Sequence, residues 1–147
     1  MGAVTYPDDR VSKLISESFV PVQINIVDHP EYTDRFLQRW TPGIFFIDSG
    51  GREHRRQVGY SPPDEFLAEL SIGIAQEAFD NKRYEEAATR YEDIYKHYPK
   101  SFVAAEAMYM TGVAKYRATE DGSHLGKYWD MVMERYPNSR WAKAGDI

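Results

Sequence analysis

Four consecutive apolar residues, Ile44-Phe45-Phe46-Ile47, lie between Thr41-Pro42-Gly43 and Asp48-Ser49-Gly50-Gly51, and they constrain this chain more than any other stretch. A short unbroken run of β-branched and aromatic side chains closed at both ends by turn residues predicts a strand buried on both faces. The segments around it alternate in character. Val11, Leu14, Ile15 and Phe19 are spaced for a short amphipathic helix, with Asp8 and Asp9 placed to cap its start. Val20–Val27 alternates apolar and polar residues with a period of two and ends at Asp28-His29-Pro30, which predicts a second strand. Glu31 to Trp40 returns to helical spacing through Tyr32, Phe36, Leu37 and Trp40, until Thr41-Pro42 stops it. Arg52 to Tyr60 has the charge of an edge strand, with Arg55 and Arg56 discouraging pairing to a neighbouring molecule.

The second half is helical and repeats. Ser61-Pro62-Pro63-Asp64 has the form of a helix start, with Ser61 as the cap. Phe66, Leu67, Leu70, Ile74, Ala78 and Phe79 continue in register, so one helix is expected to run from the first half into the second. Tyr98-Pro99-Lys100-Ser101 returns 38 residues later as Tyr136-Pro137-Asn138-Ser139, and Tyr91 with Trp129, Ile94 with Val132 and Ala104 with Ala142 share that offset. Tyr84-Glu85-Glu86-Ala87-Ala88, then Tyr91 and Pro99, resembles the second helix of a tetratricopeptide repeat. Ala105 to Gly112 resembles the first helix of the next. Ala87 and Gly112 then fall where helices cross closely, and Tyr91 and Trp129 are expected to be buried between them. Two departures stand out: Lys82 occupies a position where glycine is common, and Arg117 to His124 is longer than the usual turn. About one and a half repeats are fewer than the three or so that stabilise such arrays alone, so the tail is expected to lean on the first domain.

Composition narrows the chemistry. The 147 residues carry a net charge of −5, which gives no positive field for nucleic acid or an anionic membrane. No apolar run approaches the length of about 20 residues that spans a bilayer, and the start has no signal region, so the expected location is cytoplasmic. There is no cysteine. Thiol–disulfide exchange needs a cysteine thiolate as nucleophile, so these residues alone cannot perform it. His29, His54, His97 and His124 have no metal-ligand spacing and are expected at scattered surface or boundary positions. Asp8-Asp9 and Glu85-Glu86 fit a helix start and a solvent face, where Glu86–Arg90 and Glu92–Lys96 are ordinary i,i+4 pairs. With no phosphate loop and no serine elbow, no catalytic residue, metal site or cofactor is expected.

The element order, with Thr-Pro before the apolar strand and Gly-Gly after it, resembles the thioredoxin fold downstream of its active-site motif. Pro42 matches the family's cis-proline, Gly50-Gly51 the turn between the last two strands, and Gly59 the glycine near the end of the last strand. Met1 to Val11 is similar to the stretch after Cys-x-x-Cys in bacterial thioredoxin-like proteins with a helical repeat tail. The resemblance implies an α/β chain: an incomplete thioredoxin-like domain over residues 1–71, then an α-helical tetratricopeptide-like tail over 72–147. It further implies that a central strand ending in Cys-x-x-Cys belongs between Val20–Val27 and Ile44–Ile47. The chain is therefore expected to begin at an internal methionine of a longer reading frame, or to be a natural truncation. The two flanking strands would pair directly, or another chain would fill the gap, with homo-oligomers forming through unpaired strand edges. In such proteins the residue before the cis-proline offers its backbone to a bound peptide, so Thr41 and Pro42 would face a protein or peptide partner, with Trp40 as an apolar wall. Equally, the loop merely ends a helix and packs against the absent strand. The implied function is thiol–disulfide oxidoreductase or disulfide handling in a full-length form. The alternatives are a noncatalytic adaptor that binds proteins through the helical tail, or a tail that only stabilises the first domain.

Overall fold

In the computed structural model, which describes residues 1–144, the chain divides into two compact units, one of Met1–Leu67 and one from Ala68 onward. The first holds α1 (Asp9–Ser18), α2 (Glu31–Arg35), β1 (Gly43–Ile47), β2 (Glu53–Val58) and the opening of α3 (Pro63–Asp80). Asp8 caps α1, its Oδ1 accepting the amide hydrogens of Arg10 at 2.9 Å and Val11 at 3.4 Å, so two N–H groups that lack helical partners are satisfied. Val11 is buried, and Phe19 sets its ring edge-on to Phe46 of β1 at 5.7 Å.

Helix α2 ends at Arg35, five residues short of the stretch that its spacing predicts. Leu37 turns to φ 50° and donates to Asp34 O at 3.3 Å, while Gln38 donates to Thr33 O at 2.9 Å. This pair of bonds is a Schellman closure, and it caps the carbonyls of a helix that could not continue into Thr41-Pro42. The turn leaves Phe36 stacked on Tyr32 at 6.1 Å and tilted by 33° against Phe45 of β1 at 4.9 Å.

β1 and β2 pair antiparallel, from Gly43 opposite Val58 to Phe46 opposite Arg55. The next partner of Ile47 is Glu53, which leaves His54 as the extra residue of a bulge. Between the strands Asp48 Oδ1 accepts from Gly50 N at 2.9 Å and Arg52 N at 3.0 Å, and Gly51 takes φ 84°, a region open to glycine. Of the apolar run only Phe46 is fully buried; Ile47 is exposed, because a two-stranded sheet cannot cover it from both sides.

Val20–Val27 corrects the sequence reading. The segment is not a strand: it joins no ladder, and Val20 and Val27 are 91% and 83% exposed. Alternation sorts the side chains of a strand, but its main chain still needs a neighbour with open hydrogen-bonding groups, and Pro21 removes one donor outright. It does not pair with β1.

The second unit holds the rest of α3 with α4 (Tyr84–His97), α5 (Ala104–Thr119), α6 (Ser123–Arg135) and α7 (Arg140–Ala144). Ala68, Ile72, Ala75 and Ala78 of α3 join Tyr91, Ile94, Met108 and Val132 in one core, where each large side chain contributes about 1.5–3 kcal/mol. Tyr91 donates from its hydroxyl to Gln76 Oε1 at 3.0 Å, so its polar tip is satisfied. Gly112 is required by a close crossing: a Cβ there would lie 2.6 Å from Cβ of Tyr128. Ile94 and Val132, and Ala104 and Ala142, are buried at the 38-residue offset, and Tyr136 Oη donates to Pro99 O at 2.9 Å. Trp129, by contrast, is only half-buried, with Nε1 donating to Ala142 O at 3.3 Å; Tyr128 is the residue turned into the core. The long turn expected from Arg117 to His124 is also absent, because α5 continues to Thr119, closes on Glu120 at φ 60°, and α6 begins at Ser123. Glu86–Arg90 and Glu92–Lys96 form the i,i+4 pairs at 2.8 and 2.7 Å. Among the described residues no helix is long and apolar enough to cross a membrane.

Candidate functional site

The loop from Phe36 to Pro42 leads straight into β1, and together they form the candidate site. Trp40 is 72% exposed and Thr41 is exposed, while Pro42 is half-buried. Two hydrogen bonds fix the loop: the Gln38 side-chain amide donates to Trp40 O, and Gly59 N donates to Pro42 O at 2.8 Å. The Thr41–Pro42 peptide bond is cis. All three residues singled out from the sequence therefore sit on one surface loop.

The ladder determines where the main chain of β1 points. Pro42 O bonds to Gly59 N, and Asp48 N bonds to Arg52 O at 3.0 Å, so residues 42 and 48 face β2. In an antiparallel pair the direction alternates along the strand. Ile44 and Phe46 thus direct N–H and C=O toward β2, and Gly43, Phe45 and Ile47 direct theirs to the opposite edge. Among the described residues no second strand occupies that edge.

Side chains stiffen the strand from its faces. Arg56, opposite Phe45, holds its guanidinium 5.1 Å from the Phe45 ring centre and donates from Nη1 to Phe36 O at 2.9 Å. Arg35 lies 5.2 Å from the Phe36 ring. Such cation–π contacts are each worth about 0.5–1 kcal/mol at exposed sites.

His54 is the residue that spacing does not reveal. Its side chain is 1% exposed, and Nε2 lies 2.9 Å from Asp48 Oδ2, because the bulge turns it back over the turn. The only signal in the sequence is an aspartate six residues upstream across a Gly-Gly turn. The Arg52 amide, and after it His54, hold the Asp48 carboxyl below its ordinary range. Both groups are engaged in shaping the turn, so the pair is structural.

A separate open cleft of about 420 Å³ lies in the helical unit beside Arg83, Tyr84, Glu86 and Arg117. There Arg83 pairs with Glu77 and, at 3.3 Å, with Glu86, and Arg117 donates to Tyr84 Oη at 2.9 Å. No cluster of potential metal ligands occurs among the described residues. The loop and the outer edge of β1 present main-chain donors and acceptors beside the exposed Trp40 ring.

No curated protein and no solved structure matches the chain. Residues 2–72 match the family model of the thioredoxin-like domain.

Proposed function

We propose that the first unit receives an extended peptide as an added strand on the outer edge of β1, with Thr41 starting the main-chain pairing and Trp40 as its apolar wall. The observation that carries this reading is the outward-directed main chain of Gly43, Phe45 and Ile47, immediately after the exposed Trp40-Thr41. Such groups gain hydrogen bonds when a strand is laid beside them, and the alternate side chains of that strand supply selectivity. The match to the thioredoxin-like domain over the same residues supports it. Any disulfide handling would then use cysteines supplied from outside these 147 residues, since a thiolate must attack.

A second reading gives the helical unit a tetratricopeptide-like adaptor role. It is supported by the burial of Ile94 with Val132 and of Ala104 with Ala142 at one repeat offset.

Amide exchange with and without an eight-residue Val/Thr peptide tests the first reading. Exchange at Phe45 and Ile47, whose amides have no partner strand in the free chain, should slow by the larger factor on binding, while Ile44 and Phe46, already turned to β2, should slow only by the smaller factor that stabilising the hairpin gives. Uniform slowing, or none, would refute strand addition. The purified chain should also show no dithiol-dependent insulin reduction above background; activity would overturn the account of its chemistry.

A further inference from the structure

We infer that the extended segment accepted at the β1 edge is acidic, an inference that rests on the strand-addition reading and names the chemistry of its ligand. The chain as a whole carries −5, yet residues 35–60 contain five arginines against two carboxylates. Positive charge is therefore concentrated on the loop and hairpin that build the candidate site. Arg35, the last residue of α2, and Arg39 of the loop are exposed and make no ion pair among the described residues. Arg56, in contrast, is matched by Glu53. Between the two unmatched arginines Leu37 is 70% exposed at φ 50°, and Trp40 follows directly.

This pattern of cation, apolar side chain, cation and aromatic ring runs from the end of α2 along the loop that leads into an open strand edge. An extended peptide that pairs its main chain with Phe45 and Ile47 can set apolar residues against Leu37 and Trp40 and carboxylates against Arg35 and Arg39. Nucleic acid fits less well. It has no main chain to pair with a strand edge, and the net negative charge of the rest of the molecule repels a long polyanion.

Fluorescence anisotropy on the full 147-residue chain tests the inference, using three labelled Val/Thr peptides that carry two Glu, two Gln or two Lys at the same positions. An exposed arginine–carboxylate pair changes affinity by a factor of about 1.4 to 5. With two such pairs the Glu peptide should bind about two- to twenty-five-fold more tightly than the Gln peptide and lose that advantage as salt rises from 50 to 300 mM. Arg39→Gln should remove about half of the advantage in logarithmic terms, and Arg39→Lys should restore most of it. Both variants alter an exposed side chain and should keep the parent circular dichroism spectrum.

Equal binding of Glu, Gln and Lys peptides, with Phe45 and Ile47 protected, would overturn the acidic preference and leave strand addition standing. If no peptide binds the folded chain, both fall. Equal competition by a single-stranded oligonucleotide would replace the peptide inference with general polyanion binding. Concentration-dependent dimers that protect the same two amides would assign the edge to a second copy of this chain.

Discussion

Lys82 ends α3 at φ 62°, donating to Phe79 O at 2.9 Å, and Arg83 donates to Ala78 O at 2.9 Å. This is a Schellman closure at a residue whose Cβ makes the left-handed conformation costly by about 1–2 kcal/mol. Glycine there removes the clash but loses more entropy on folding, so Lys82→Gly is expected to raise stability by about 0.5–1 kcal/mol, read from the urea midpoint at constant slope. A loss of stability would mean that the lysine side chain contributes more than its backbone costs. Tyr91 and Trp129 diverge at the same scale, although they stand at equivalent places in the sequence repeat. Tyr91 is fully buried and Tyr91→Ala should cost about 3–5 kcal/mol, whereas half-buried Trp129 should cost less than Tyr91 when truncated. Equal losses by calorimetry would place Trp129 deeper in the core than the structure has it.

At the scale of elements, the β1–β2 turn depends on an ionised Asp48, whose carboxylate accepts the Gly50 and Arg52 amides and faces His54. A carboxyl with a depressed folded pKa stabilises the fold above its unfolded value near 4, and that contribution is lost as pH falls through the folded pKa. Protection of the Gly50 and Arg52 amides should therefore hold at pH 5 and fall in strong acid. Asp48→Asn should flatten that acid response; an unchanged acid limb would remove Asp48 from the account. The same elements show what was legible in the sequence. The run at Ile44–Ile47 and the Gly-Gly turn specify the hairpin locally, and the Asp8 cap specifies the start of α1. Val20–Val27 has the side-chain pattern of a strand but no partner for its main chain, and a pattern cannot report a partner. The end of α2 at Arg35 depends on Phe36 reaching Phe45, a contact set by tertiary packing. Trp40, Thr41 and Pro42 could be selected from family resemblance, whereas the outward edge of β1 and the buried His54 follow from ladder register and a bulge that spacing does not encode.

For the whole molecule, the two units should differ in local stability. The first relies on a two-stranded hairpin, a topology marginal by itself, with Val11, Phe46, Phe66 and Leu67 among its few fully buried large apolar residues. The second has a continuous core that links α3 through α7, including Tyr91, Ile94, Met108 and Val132. Free energies of opening follow buried apolar contact and cooperative extent, so low denaturant should separate the units. Native-state hydrogen exchange is expected to show the amides of Ile44 and Phe46 opening at lower free energy than those of Ile94 and Met108. The denaturant slope for the hairpin amides should also be smaller, because less surface is exposed when only the hairpin opens. A strand-adding peptide should raise the opening free energy of the hairpin by mass action and leave the α4–α5 amides at their original value. If both sets of amides open with one free energy and one slope, the chain is a single cooperative unit, and a peptide held at β1 would stabilise its helices as much as its sheet.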